Sequence, residues 1–155
     1  MRRLLACAAA LALVGAASPP ERLALRTLDG APIEIAREPD ESALVLHFWA
    51  SWCPDCAEEL PALEQSARAC GAESHVRVLA VNVGDTAEEA RRFAAEHGLS
   101  LPVLLDVGGR VWRAAGLLGL PANLVWTSGG VQASEGPRSA ARWREELAAL
   151  GCATP

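Results

Sequence analysis

The sequence predicts an α/β domain in which a mixed central β-sheet carries helices on both faces. Apolar runs typical of buried strands alternate with helical segments, short turns containing Gly or Asp separate them, and the chain closes on a strand hairpin followed by a helix. Hydrophobic residues make up 51% of the 155, so the chain can bury the core of one ordinary domain. We therefore expect a single domain over residues 18–155.

The strands are predicted from β-prone apolar runs bounded by turn residues. Asp29-Gly30 separates the first two runs, which are expected to pair, and Ser128-Gly129-Gly130 separates the last two, which are expected to form an antiparallel hairpin. Runs 43–49 and 76–83 are predicted to be buried central strands. The full set of predicted strands is 23–28, 33–36, 43–49, 76–83, 101–105, 122–126 and 131–134.

The helices are predicted from their start and stop signals. Pro54 suits the first position of a helix, because its missing N–H would have no partner there. Thr86 and Glu89 form a capping box, and Gly98 and Gly151 follow the ends of two helical segments. The predicted helices are 54–70, 86–97, 110–115 and 139–150.

Residues 1–17 have the pattern of a secretory signal peptide. Arg2 and Arg3 form a positive start, residues 4–14 are almost unbrokenly apolar, and Gly15-Ala16-Ala17 offers small residues for cleavage. The apolar run is too short to cross a hydrocarbon core of about 30 Å comfortably as a helix. We expect cleavage and export to the periplasm or another extracytoplasmic compartment, where disulfides persist. An uncleaved membrane anchor is the alternative.

The charge balance argues against nucleic acid or an anionic membrane surface as a partner. The chain has 14 basic residues, all of them Arg, against 19 Asp and Glu. Removal of Arg2 and Arg3 with the signal leaves 12 against 19, a net charge near −7. A protein with this charge is repelled by polyanions.

Two cysteines separated by two residues, Cys53 and Cys56, stand where a buried strand gives way to a helix. The first is expected to be exposed at the helix N-terminus, where partial positive charge favours its thiolate, and the second to lie under it. Cys53 would then be the attacking nucleophile and Cys56 the resolving thiol. The alternatives are a structural bridge and half of a zinc site. A zinc site needs two further ligands, and Cys70, His75 and Cys152 supply no second close pair.

Residues 48–56, Phe-Trp-Ala-Ser-Trp-Cys-Pro-Asp-Cys, resemble the active-site stretch of thioredoxins. Glu59-Leu60-Pro61 and Gly119-Leu120-Pro121 resemble the TlpA/ResA-like branch of exported thioredoxins, which are thiol–disulfide oxidoreductases. The resemblance covers about residues 23–151. It implies a thioredoxin fold with an N-terminal strand pair and with a strand and a helix inserted before Pro121.

The resemblance also implies a substrate-binding surface. Pro121 matches a cis-proline that lies against the disulfide and that would place the Leu120 backbone beside Cys53, to pair with a substrate chain. The alternative is that Pro121 only breaks the chain between two elements. Trp52 and Pro54, on either side of Cys53, are expected to contact substrate. Trp49 and Trp52 would together shape an apolar surface for it, and a packing role is the alternative for both.

Glu59 and His47 are candidates for proton transfer. Glu59 matches a glutamate that in this family lies near the cysteines and accepts or delivers a proton; the alternative is a first-turn carboxylate stabilised by the helix dipole. His47 stands where thioredoxins carry a buried Asp and where this branch often has Asn. A histidine there could pass a proton to Cys56. Alternatively, it is a core histidine kept neutral by burial.

Asp55, between the two cysteines, is expected to affect the redox poise. A carboxylate about 7 Å from the Cys53 sulfur costs the thiolate on the order of 0.5–2 kcal/mol. A destabilised thiolate disfavours the dithiol form. The protein is therefore predicted to lie nearer the reducing than the oxidising end of the scale.

Cys70 and Cys152 are expected to form a structural disulfide. Helical spacing places Cys70 about 21 Å from Cys56, beyond disulfide reach. In the fold that the resemblance implies, the active-site helix and the last helix lie on the same side of the sheet, so cysteines near their C-terminal ends could meet. The alternative is two free thiols.

The sequence thus favours an enzyme, a monomeric protein disulfide oxidoreductase whose redox group is the Cys53–Cys56 pair, without a further cofactor or metal. The expected substrate is a disulfide in an exported protein, and a membrane-borne thiol donor would recharge the pair. The resemblance implies cytochrome c maturation or related thiol reduction as the context. The alternative is a copper-binding assembly factor in which Cys53, Cys56 and His47 hold Cu(I), since two thiolates suit that ion.

Overall fold

The computed structural model describes residues 22–71 and 74–152. Residues 1–17, where the signal peptide is predicted, lie outside them. The described strands are β1 (Leu23–Thr27), β2 (Pro32–Ile35), β3 (Ala43–Trp49), β4 (Val76–Val83), β5 (Val103–Asp106), β6 (Ala122–Thr127) and β7 (Gly130–Glu135). The described helices are α1 (Pro54–Arg68), α2 (Ala87–Glu96), α3 (Arg110–Ala114) and α4 (Ala140–Ala149). None of these helices has both the length and the apolar character that crossing a bilayer requires.

Seven strands form one mixed sheet in the order β2-β1-β5-β4-β3-β6-β7. The central strands β3, β4 and β5 run parallel, whereas the outer strands pair antiparallel. Strand β3 is buried along its whole length. This arrangement confirms the predicted α/β fold with a mixed sheet and an N-terminal strand pair.

The alternation of side chains along β3 divides the core into two layers. Leu44 and Phe48 pack on one face, in an apolar cluster that includes Val111 of the short α3 and side chains of β1 and β2. Val45 and Trp49 pack on the opposite face, against α1, α2 and α4. His47 lies between Val45 and Trp49 on the same face of the strand. Its ring makes a T-shaped contact with the ring of Trp143, on α4. The strand therefore directs this polar residue into the layer that also holds the start of α1.

Two element boundaries differ by two residues from the sequence prediction, and the others differ by at most one. Helix α1 ends at Arg68, slightly earlier than expected, and β5 begins at Val103, two residues later than expected. The Glu64 carboxylate accepts the backbone N–H of Ser100 at 3.0 Å and of Leu101 at 2.9 Å. Because these two N–H groups are hydrogen-bonded to a side chain of α1, β5 begins only after Leu101.

A disulfide joins the chain just after α1 to the chain just after α4. Cys70 and Cys152 are bonded and buried. The two helices pack side by side on one face of the sheet, and the cysteines lie with Val45, Leu63 and Leu147 in a shared apolar cluster. The structure therefore contains the hypothesised bridge and not two free thiols.

Candidate active site

Cys53 and Cys56 are joined by a second disulfide at the start of α1. Cys53 is the residue that caps the helix, and Pro54 is its first helical residue. The Cys53 sulfur accepts the backbone N–H of Cys56 at 3.2 Å. The helix N-terminus thus offers this sulfur a hydrogen-bond donor and partial positive charge, both of which stabilise a thiolate.

Cys53 is less exposed than the sequence led us to expect. Only 5% of Cys53 is exposed, and Cys56 is completely buried. The reason is an apolar cluster that encloses both cysteines and includes Trp49, Leu60 and the half-buried Leu120. A reaction partner can contact a small area of Cys53 and none of Cys56, which keeps the roles of nucleophile and resolving thiol distinct.

The loop ahead of Cys53 is held by Asp85, a residue that the sequence analysis missed. The Asp85 carboxylate accepts the Ser51 backbone N–H at 2.7 Å and the Ser51 hydroxyl at 2.9 Å. It also accepts the side-chain amide of Asn82, in β4, at 2.6 Å. Strands β3 and β4 are parallel neighbours and end at the same edge of the sheet. Polar residues after β4 could therefore have been expected beside this loop.

Leu120 and Pro121 lie beside the end of β3. The peptide bond between them is cis, and Pro121 is buried. Pro121 leads directly into β6, in which Ala122 pairs with Phe48 of β3. Leu120 packs against the apolar cluster that encloses both cysteines. The strand pairing thus fixes this segment next to the disulfide.

Glu59 is buried one helical turn after Cys56, with 2% of it exposed. Its Oε1 accepts the indole N–H of Trp143, on α4, at 2.9 Å. Its Oε2 has no hydrogen-bond partner within residues 22–71 and 74–152. Burial raises the pKa of Glu59 to about 7, an effect that the Trp143 N–H and the positive charge of Arg138 oppose. The carboxyl can therefore take up or release a proton near neutral pH, unlike a solvated first-turn carboxylate.

His47 is fully buried next to Glu59. Its Nδ1 lies 2.9 Å from the Asn123 side-chain oxygen and 3.8 Å from Glu59 Oε1. Burial lowers the pKa of His47 to about 4, so the ring is neutral at pH 7. A neutral ring can donate its Nδ1 proton to Asn123. This geometry fits a core histidine and not the predicted residue that titrates near neutrality.

Asn123 and Trp143 were not recognised as site residues in the sequence. Asn123 is the residue of β6 directly opposite His47 in the strand pairing, so a polar residue in an otherwise apolar strand was the available signal. Trp143 lies among the apolar positions of α4 and carried no signal that separates it from an ordinary core tryptophan. The cation of Arg138 lies over its ring, 5.2 Å from the centroid.

The residues that flank the cysteines differ in exposure. Trp52 is 67% exposed, and Pro54 and Asp55 are exposed on the first turn of α1. Trp49, by contrast, is fully buried against Phe93, with their ring centroids 4.7 Å apart. Trp52 is therefore available for contact with a partner, whereas Trp49 packs in the core.

The arrangement is suited to thiol–disulfide exchange. It combines a slightly exposed cysteine, a fully buried second cysteine and a carboxyl that titrates near neutrality. No three His, Cys, Asp or Glu side chains of the described ranges are grouped as a metal site would require.

Comparison with known proteins gives consistent matches. Thiol-disulfide oxidoreductase ResA of Halalkalibacterium halodurans is 34% identical over 65% of this chain, and the matched part is only 56% of that relative. Sporulation thiol-disulfide oxidoreductase A of Bacillus subtilis is 27% identical over 82% of this chain and 80% of its own length. The solved structure of a secreted Mycobacterium tuberculosis disulfide oxidoreductase gives a TM-score of 0.69 at 26% identity, over 82% of this chain and 95% of that chain.

These relatives confirm the resemblance to the ResA-like branch and the thioredoxin fold that it implied. The AhpC/TSA family matches residues 14–133, well over half of the sequence. The chain therefore belongs to the AhpC/TSA family.

Proposed function

We propose that this protein is a thiol–disulfide oxidoreductase that reduces disulfides of exported proteins through Cys53 and Cys56. The disulfide at the N-terminus of α1, with one slightly exposed and one buried cysteine, carries the proposal. Relatives named as thiol-disulfide oxidoreductases support it.

The reaction begins with the reduced pair. The Cys53 thiolate attacks one sulfur of a client disulfide, the client S–S bond breaks, and the departing client sulfur takes up a proton. Cys56 then loses its proton and attacks the Cys53 sulfur, which releases the second client thiol. The client gains two electrons and two protons, and the Cys53–Cys56 bond forms again. A dithiol donor, which we propose to be membrane-borne, returns the two electrons by the reverse exchange.

Glu59 is our candidate for the group that accepts the Cys56 proton. It follows Cys56 by one helical turn, it is buried, and its pKa of about 7 leaves it partly ionised at neutral pH. His47 stays neutral and lies beside the Glu59 carboxyl in the same buried site. On the outer side, Trp52, Pro54 and the Leu120–Pro121 segment would contact the client.

We further propose that the protein works outside the cytoplasm as a monomer. A buried disulfide such as Cys70–Cys152 is typical of oxidising compartments, the signal pattern of residues 1–17 predicts export, and one relative is described as secreted. Cytochrome c maturation or related thiol reduction is the proposed context.

Trapping of the client tests this proposal. Cys56→Ser leaves the mixed disulfide with Cys53 unresolved, so an exported client should remain covalently attached until a reductant is added. Cys53→Ser is the matched control, because it removes the attacking sulfur and should trap nothing. The wild type, supplied with dithiothreitol, should reduce insulin faster than dithiothreitol alone.

The copper alternative predicts a different result. Protein purified without chelator would then contain about one copper ion per chain, lose it in both Cys53→Ser and Cys56→Ser, and fail to accelerate insulin reduction. That combination would overturn the oxidoreductase proposal. Insulin turnover by metal-free protein would support it.

A further inference from the structure

Two strongly exposed apolar side chains stand near the disulfide. Trp52 is 67% exposed and Leu118 is 86% exposed. They border a groove of about 500 Å³. Large apolar side chains grouped on a surface mark a contact site more often than single ones do. We define the client groove by its side chains Trp52, Val83, Trp112, Arg113, Leu118 and Leu120.

The client groove is adjacent to the cysteine pair. Trp52 directly precedes Cys53 in the chain, and Leu120 packs against the apolar cluster that encloses both cysteines. A polypeptide whose disulfide is attacked by Cys53 would therefore place its neighbouring residues in or beside the groove.

Glycine residues, among them Gly109, line part of the groove with backbone atoms and no side chain. Gly109 has a φ of 61°, which favours glycine, and a Cβ there would lie 3.2 Å from both Arg113 Nη1 and Val83 Cγ1. The absence of that Cβ allows the Arg113 guanidinium to lie close over the backbone. The positive charge is thus at the groove and not directed away from it.

Arg113 is the one charged side chain that lines the client groove. It forms no ion pair with any residue of the described part of the chain. Two nearby carboxylates are hydrogen-bonded to backbone N–H groups and form no ion pair with Arg113. Asp106 accepts the backbone N–H of Val111 and Trp112, and Glu135 accepts those of Leu118 and Gly119. In a chain with a net charge of −5, the groove therefore offers a positive charge to a partner.

We propose that the client groove binds a client segment in which an apolar side chain and a carboxylate lie next to the reactive cysteine. The apolar side chain would pack against Trp52 and Leu118, and the carboxylate would pair with Arg113. This inference rests on the proposed function and names the class of substrate on which it acts.

Disulfide-linked peptides test the charge preference. Two peptides carry the sequence Cys-Phe-Xaa, with Asp or Lys as Xaa, and their reduction is followed as kcat/KM. The wild type should favour the Asp peptide by roughly 3- to 10-fold, and less at high salt. Arg113→Gln should abolish the preference. The matched control is Arg110→Gln, on the same helix but outside the groove, and it should keep the preference.

A second pair of peptides tests the apolar part of the groove. Replacement of Phe by Gly in the Asp peptide should lower kcat/KM for the wild type, and Leu118→Ser should reduce that difference. Equal rates for the Asp and Lys peptides with the wild type, or equal effects of Arg113→Gln and Arg110→Gln, would overturn the inference. If no peptide is reduced and insulin is not reduced either, it is the proposed function that fails.

Discussion

His47 and Glu59 hold one proton between them at mildly acidic pH. Burial favours the neutral form of both groups, so in the folded protein the proton is on Glu59 and His47 is uncharged. In an unfolded chain at pH 5.5, the glutamate is ionised and the histidine is protonated. The two states carry the same number of protons on this pair. Its net contribution to the pH dependence of stability is therefore small, although each group alone contributes strongly.

Single substitutions in this pair should expose opposite pH dependences. Glu59 has a raised pKa, so its contribution to stability is present below about 4.5 and is lost as the pH rises through about 7. His47 has a lowered pKa, so its contribution is present above about 6.5 and is lost as the pH falls through about 4. Relative to wild type, Glu59→Gln should become more stable, and His47→Asn less stable, as the pH rises across these ranges.

The expected changes in the free energy of unfolding are on the order of 1–3 kcal/mol for each variant. Urea unfolding of the oxidised protein at several pH values from 4 to 7.5 measures them. Parallel curves for the wild type and both variants would show that the two groups do not titrate as described.

Trp143 should act as a positioning residue for Glu59. Its N–H stabilises the ionised carboxyl, so Trp143→Phe, which removes this donor together with part of the buried ring, should raise the pKa of Glu59 further. The pH at which client reduction reaches half its maximal rate should increase by roughly 0.5–1 unit. The pH profile of insulin reduction measures it.

A double-substitution cycle separates this effect from a general loss of packing. In Glu59→Gln, which lacks the titrating carboxyl, the additional Trp143→Phe change should not move the profile. The same shift in both backgrounds would mean that Trp143 does not act through Glu59.

At the scale of single elements, α1 presents opposing charges to Cys53. Its N-terminal N–H groups favour the thiolate, whereas the exposed Asp55 carboxylate opposes it. Asp55→Asn should stabilise the dithiol form and raise the reduction potential, by up to roughly 40 mV. Equilibration with glutathione measures the potential. Glu58→Gln, an exposed carboxylate after the cysteine pair, is the control and should have a smaller effect. A lower potential in Asp55→Asn would refute the argument.

The elements that depend on nearby residues could be predicted from the sequence. Pro54 marked the start of α1, and Thr86 with Glu89 marked that of α2, where the capping box is present. The predicted start of β5 was wrong because the observed start depends on hydrogen bonds to Glu64, which is distant in sequence.

The residues of the candidate site also fall into those that nearby sequence could identify and those that it could not. Cys53 and Cys56 could be identified from their spacing and from the strand and helix around them. Asp85, Asn123 and Trp143 could not, because they reach the site only through strand register and helix packing. The environment of His47 was uncertain for the same reason, since its burial depends on residues brought in by β6 and α4.

At the scale of the whole molecule, the Cys70–Cys152 bridge constrains a large part of the unfolded chain. The two cysteines are separated by 82 residues. Removal of a disulfide that closes a loop of this size should lower the free energy of unfolding by at most about 4.5 kcal/mol, and measured losses are usually about 2–4 kcal/mol. We expect the double variant Cys70→Ser with Cys152→Ser to lower the free energy of unfolding by about 2–4 kcal/mol, as measured by urea unfolding.

The same double variant should retain insulin reduction wherever it is folded, because neither serine touches the Cys53–Cys56 pair. An unchanged urea midpoint would mean that the bridge does not stabilise the protein. Loss of activity in the folded variant would mean that the two disulfides are coupled.

The length of α1 also determines which thiols can meet during oxidation. The four cysteines that follow the predicted signal segment allow three complete pairings, and two of these join Cys70 to Cys53 or Cys56. Cys70 follows Cys56 by fourteen residues, most of them in α1, and at the rise of a helix this spacing is about 21 Å, which no disulfide can bridge. A newly made chain that forms α1 before it meets an oxidant therefore has a single complete pairing left among these four cysteines, the native one. The helix thus protects the chain against mispaired disulfides.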